Sequence, residues 1–164
     1  MGNMAKRLDQ AGANALVLFN RFYLPNIDVQ SLQANPIFGL SPVGEIHLPL
    51  LWIALLHGKL NASLAATRGV ENPEDVIRYL LAGADVVMTA SALLHNGPAH
   101  IATLIDGLEQ WMEARGFASV RQFRGSMSHG NVANPDAYHQ ANCARVLEGG
   151  LHATARSALW RGWV

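Results

Sequence analysis

Between Asn61 and Leu94 the spacing of apolar residues changes period several times, and those changes set the organisation of the chain. Ala62 to Ala66 is a short apolar run that stops at Thr67-Arg68-Gly69. Val76, Ile77, Leu80 and Leu81 then recur at helical spacing, and Asp85-Val86-Val87-Met88-Thr89 is again a run with no helical gap. Short runs bounded by turn residues read as buried strands, and the 3.6-residue spacing reads as an amphipathic helix. The helix start is marked by Asn72 as N-cap, Pro73 at the first helical position and the acidic Glu74 and Asp75 in the first turn. Gly83 marks its end. Ala90-Ser91-Ala92 turns into a further helix. A strand, a crossing helix and a second strand require parallel strands. The loops Thr67 to Glu71 and Thr89 to Ala92 therefore share one carboxyl edge of the sheet, the edge at which α/β proteins bind ligands.

Elsewhere the same reading predicts a helix within Met1 to Gln10 that the chain enters part-way. A helix-end signal at Ala11-Gly12-Ala13-Asn14 precedes a first strand at Ala15-Leu16-Val17-Leu18-Phe19. That strand is apolar throughout, which predicts a central position. The span Asn26 to Val43 is predicted irregular, with breakers at Asn35-Pro36 and Ser41-Pro42. A helix is expected over Leu50 to Leu56, stopped by Gly58. Another runs from Ala99 to Arg115, with Ile101, Leu104, Ile105, Leu108, Trp111 and Met112 inward. Ser119 is placed to cap a short helix through Val120 to Arg124. A last helix is expected from Asn134-Pro135-Asp136 to about Leu147.

Composition excludes several classes. The 164 residues are half apolar, enough for one domain with a core. Twelve basic and twelve acidic residues cancel without clustering, so the electrostatic motive for nucleic-acid binding is missing. The single Cys143 forms no internal disulfide and suits a reducing compartment. The longest apolar run, Leu48 to Leu56, is too short to span a membrane, and no signal-peptide order appears at the N-terminus. The expectation is a soluble cytoplasmic protein. The seven histidines show no zinc-like pairing.

Three parallel strands with covering helices make an incomplete object. A closed (β/α)8 barrel needs eight strands and about 250 residues. The expected fold class is α/β: a partial TIM barrel formed by the last three βα units of a (β/α)8 barrel, followed by C-terminal helices. Residues 1–148 form that portion, and 149–164 form a tail. The tail, with Trp160 and Trp163 among arginines, reads equally as a packed arm, a partner contact or a readthrough segment. The open edges of such a sheet need cover.

Three stretches carry a family resemblance: Asn14 to Arg21, the Ser-Leu-Ala-Ala-Thr-Arg-Gly-Val run from Ser63 to Val70, and Leu81 to Leu94 with its Leu-Ala-Gly-Ala-Asp-Val-Val core. The Gly97-Pro98 and Phe123-Arg124-Gly125 steps also fit. Over roughly Ala11 to Leu147 the chain resembles the C-terminal part of dihydroorotate dehydrogenase-like flavoproteins. The resemblance implies FMN over the carboxyl mouth of a barrel, its phosphate gripped by Arg68-Gly69-Val70 and Ala90-Ser91-Ala92. Small residues and helix-start amides suit a phosphate independently. The resemblance also implies that Asn20 faces the flavin and a dihydropyrimidine substrate.

Two departures accompany it. The family commonly has two glycines where this chain has Arg68-Gly69, and the early strands bearing ring contacts and a cysteine or serine base are absent. Cys143, in a late helix, does not replace that base. Two functional readings follow. One is the phosphate-binding part of a flavin oxidoreductase that, when complete, oxidises a dihydropyrimidine such as dihydroorotate to orotate. The other is a non-catalytic partial barrel that self-associates or pairs with a subunit carrying the missing half.

Overall fold

The computed structural model describes residues 1–20, 25–36, 40, 43–135 and 138. Arg21, the Ser41-Pro42 breaker, Cys143, the body of the helix expected to Leu147 and the tail from 149 lie outside the described residues. The chain divides into two compact units, Met1–Asn131 and Val132–Val164. In the second, the Tyr138 amide donates to the Pro135 carbonyl.

In the first unit the order is α1 (Gly2–Gln10), β1 (Ala15–Leu18), β2 (Pro25–Asp28), β3 (Gln33–Pro36), α2 (His47–Leu56), β4 (Ser63–Thr67), α3 (Pro73–Ala82), β5 (Val86–Met88), α4 (Ser91–Asn96) and α5 (His100–Arg115). Strands β1, β4 and β5 form one parallel sheet with β4 in the middle. The expected α/β fold of a partial, unclosed barrel with C-terminal helices is what the chain adopts.

Register explains which side is covered. Leu16 pairs with Leu64 and Leu18 with Ala66, and all four are buried against the helical layer. Val17 pairs with Ala65, and Ala65 with Val86, on the opposite face. There Val17 is 55% exposed, Val86 52% and Met88 45%. Side chains alternate across a strand, so these belong to the surface that a closed barrel turns inward. β1 stands at an edge of this sheet, not at its centre as its apolar run predicted. A barrel strand is covered on both faces and therefore reads as central, whatever strands the chain supplies beside it.

The α3 start follows the sequence. The Asn72 side chain accepts from the Asp75 amide at 3.1 Å, while Asp75 Oδ2 accepts from the Asn72 and Glu71 amides at 3.2 and 3.1 Å. Gly83 ends the helix at φ 116. Helix α3 packs on α2 and α5. At the amino edge, the Leu64 amide donates to Asp85 Oδ2 at 2.8 Å, and Arg124 pairs with the other Asp85 oxygen.

Three other elements depart from expectation. The span predicted irregular contains an antiparallel hairpin, β2 with β3. Its turn is closed by Asp28 Oδ1, which accepts from the Gln30 and Ser31 amides. Those bonds, with the Ser31 side chain first, hold the Asp28 carboxyl below its ordinary range. Each strand is only four residues long and carries a proline, so the breaker signals outweighed its short alternation. On α5, Leu104 is buried, but Ile101 and Ile105, expected inward, are 46% and 49% exposed. Val120–Gln122 is a single 3-10 turn, and Ser119 makes no side-chain cap to it.

Candidate functional site

At the carboxyl edge, the ends of β1, β4 and β5 surround an open cavity of about 370 Å³. Asn20 reaches it from the end of β1. Thr67, Arg68, Gly69 and Val70 line it from the loop after β4, and Thr89, Ala90 and Ser91 from the loop after β5. The two loops singled out by the sequence thus meet at one rim around one space. Ala92 does not line it; the residue is fully buried in the first turn of α4. The amides of that turn have no intrahelical acceptor ahead of them.

The β4–α3 loop takes an unusual path. Arg68 has φ 84 and Gly69 φ 67, two consecutive residues in the left-handed region. For an arginine this costs about 1–2 kcal/mol, and three contacts offset it. The guanidinium is held by Glu45 Oε2, with Nε at 3.1 Å and the second nitrogen at 2.9 Å. Both side chains are largely covered, at 18% and 25% exposure. The carbonyl of Arg68 accepts from the Tyr79 hydroxyl at 2.8 Å. Further along, the Val70 carbonyl accepts from Thr89 Oγ1 at 2.9 Å, which ties the two loops together. The Arg68 side chain is therefore engaged with a carboxylate, so a phosphate at this rim would rely mainly on backbone amides and on the remaining guanidinium nitrogen.

Tyr79 is fully buried. Burial first, then the nearby Asp75 charge, push its phenol well above the ordinary value, against an opposing effect of Arg68. The hydroxyl consequently stays protonated and donates. Further along the loop, His100 Nε2 lies 2.9 Å from the Glu71 carbonyl, and Asn96 Nδ2 donates to Glu71 Oε1 at 3.2 Å. These contacts fix where α4 ends and α5 starts relative to the loop after β4. Among the described residues, no group of three or more histidine, cysteine, aspartate or glutamate side chains is arranged to hold a metal.

Glu45 and Tyr79 escaped the sequence reading. Tyr79 sits one position from the Leu80 of the apolar stripe, where an aromatic reads as ordinary core. Glu45 lies beyond the breaker-rich span and carries no motif at all.

No known family profile matches the chain. Individual proteins do. It is 29% identical over 126 residues to the putative dihydroorotate dehydrogenase A (fumarate) of Aeropyrum pernix, covering 74% of this chain and 40% of that protein. It is 31% identical over 120 residues to the catalytic subunit of dihydroorotate dehydrogenase B (NAD(+)) of Oceanobacillus iheyensis, covering 71% and 39%. Among solved structures, the dihydroorotate dehydrogenase of Eimeria tenella in complex with ferulenol aligns with a TM-score of 0.60 at 18% identity, over 75% of this chain and 33% of that one. The chain thus spans about two fifths of the length of the curated relatives it matches. These similarities support family-level homology with the dihydroorotate dehydrogenase-like barrel fold.

Proposed function

From that homology we propose that this chain is a partial barrel without turnover of its own, completed by another polypeptide that covers its open sheet edges. The observation that carries this reading is the bare face of the sheet. Val17, Val86 and Met88 stand about half exposed at positions a closed barrel would bury, and among the described residues β1 and β5 each leave one backbone edge unpaired in the sheet. Unpaired edges of this kind recruit further strands. The completing polypeptide is a second copy of the chain or a subunit bearing the missing strands. Light scattering on the purified chain tests this. A defined dimer, or a stable complex with a separately made first half of a relative's barrel, is expected. A folded monomer that ignores that half would refute the reading.

A second reading is favoured by the cavity at the rim. Gly69, Ala90 and Ser91 let backbone approach a ligand closely, and two loops converge there. This arrangement suits the phosphate of FMN, with Arg68, Val70 and Ala92 supporting the loops and Asn20 offering a polar group toward the ring and a dihydropyrimidine. FMN supplies hydride chemistry when bound. The residues of this chain contribute grip and orientation; a proton-abstracting base is expected from the part of the barrel supplied elsewhere. Replacing Gly69 with valine should remove FMN retention, read by flavin absorbance after gel filtration. Unchanged retention would end this second reading.

A further inference from the structure

We infer that Tyr79 is a positioning residue that aims the Gly69 amide into the rim cavity, an inference that rests on the FMN-phosphate reading above. One peptide plane joins the tyrosine to that amide. The Tyr79 hydroxyl has a single proton and three carbonyls in range: Arg68 at 2.8 Å, Thr67 at 3.3 Å and Ile46 at 3.4 Å. The shortest of these takes it, so the Arg68 carbonyl is drawn down toward the helical layer beneath the loop. In a trans peptide the carbonyl and the following N–H point in opposite directions. Fixing the Arg68 carbonyl toward buried Tyr79 therefore turns the Gly69 N–H the other way, and Gly69 is a cavity-lining residue.

The Val70–Glu71 peptide is held in the same manner. The Val70 carbonyl is taken by Thr89 Oγ1 and the Glu71 N–H by Asp75 Oδ2. Glu45 holds the Arg68 side chain. The loop's amide directions are thus set by α3, by the β5–α4 loop and by the segment before α2. Tyr79 is the contact that acts on the plane containing the Gly69 amide. Two glycines would reach the left-handed conformation unaided; with Arg68 in place, the tyrosine holds it.

The test uses the full chain, as wild type and as Tyr79→Phe, which keeps the ring and removes the O–H. FMN and riboflavin differ by the phosphate, so the ratio of their dissociation constants isolates the phosphate grip. In Tyr79→Phe that ratio is expected to fall about tenfold, the loss of one hydrogen bond to a charged group. The Gly69 amide resonance in the ligand-free protein is expected to move, and its response to inorganic phosphate to shrink. Adding Arg68→Gly to Tyr79→Phe should recover much of the ratio, because glycine takes the left-handed conformation without help. A purely structural tyrosine would lower stability and leave the ratio alone.

An unchanged ratio together with an unmoved Gly69 resonance would overturn the inference. If the wild type binds FMN no better than riboflavin, the phosphate reading fails. Tyr79 is then judged by the ligand-free resonance alone, and no movement there overturns its role. If Tyr79→Phe does not fold, the doubly substituted chain is compared with Arg68→Gly alone. A small fall in the ratio with a moved Gly69 resonance on removing the hydroxyl there supports the inference, and equal ratios with matching resonances overturn it.

Discussion

Asp75 is the residue whose removal should do most damage to the rim without touching it. Its side chain is fully buried. It accepts from the Glu71 and Asn72 amides and, at 2.6 Å, from Arg78. Asp75→Ala leaves two loop amides without their acceptor and removes half of the capping box. One unsatisfied amide costs about 1–3 kcal/mol, less where water reaches it. Asn72 is exposed and Glu71 half-buried, so the pair together is worth about 3 kcal/mol, counting the lower part of that range. Asn72→Ala removes only the reciprocal cap, about 1 kcal/mol. Arg78→Ala breaks an ion pair whose arginine is 49% exposed, again about 1 kcal/mol. Urea denaturation of the three variants, with equal m-values, should rank Asp75→Ala lowest by about 2 kcal/mol. For a chain of this size that is a further fall in Tm of about 4–8 °C. If Asp75→Ala unfolds no more easily than Asn72→Ala, the carboxylate is not what holds the loop to the helix, and the account of the rim's rigidity is wrong.

Other perturbations test the packing around the site. Gly83→Ala would put a Cβ 2.3 Å from the His57 ring at φ 116, so it should cost more than the 1–2 kcal/mol left-handed penalty alone. In a His57→Gly background, which also removes the His57 Cβ 2.7 Å from that position, most of the excess should disappear, and equal costs in both backgrounds by denaturation would refute the clash. Gly107→Ala should destabilise although alanine is the better helix former by about 1 kcal/mol, because the added Cβ would lie 2.4 Å from Pro73 at the α3–α5 contact; a gain in Tm would contradict this. Tyr79 has a folded-state pKa raised above its ordinary 10.0. Its contribution is therefore complete below that value and lost as pH rises toward the folded pKa. Stability curves from neutral to alkaline pH should fall less steeply above about pH 10 in Tyr79→Phe than in wild type.

How far the sequence reaches depends on the kind of interaction. The start of α3 was legible because capping is local: Asn72, Pro73 and Asp75 act on amides within a few residues of themselves. The meeting of the two loops was legible because parallel strands leave no other place for them. The left-handed Arg68 was not, since its conformation depends on Glu45 and Tyr79, which are 23 and 11 residues away. The β2–β3 hairpin was hidden for another reason. It is held by backbone pairing and the Asp28 turn while Ile27, Val29 and Leu32 stay exposed, so no buried stripe advertises it.

The inward expectation for Ile101 and Ile105 and the central expectation for β1 failed in the same direction. Each residue carries the apolar character of a covered position, and each lies bare in the isolated chain. This shared sign says what the proposed completing polypeptide must bring. Val17, Val86, Met88, Ile101 and Ile105 are each about half exposed, so covering one gains roughly 1 kcal/mol and covering all five about 5 kcal/mol. Association costs about 4–15 kcal/mol before any affinity appears. Side-chain burial alone therefore only reaches the lower end of that cost. The rest has to come from backbone pairing along β1 and β5 and from a surface laid against α5. A single added strand meets the first requirement and not the second. A partner that pairs with β5 and also packs a helix against the Ile101–Ile105 face meets both, and that strand-plus-helix unit is the repeating element of the barrel itself.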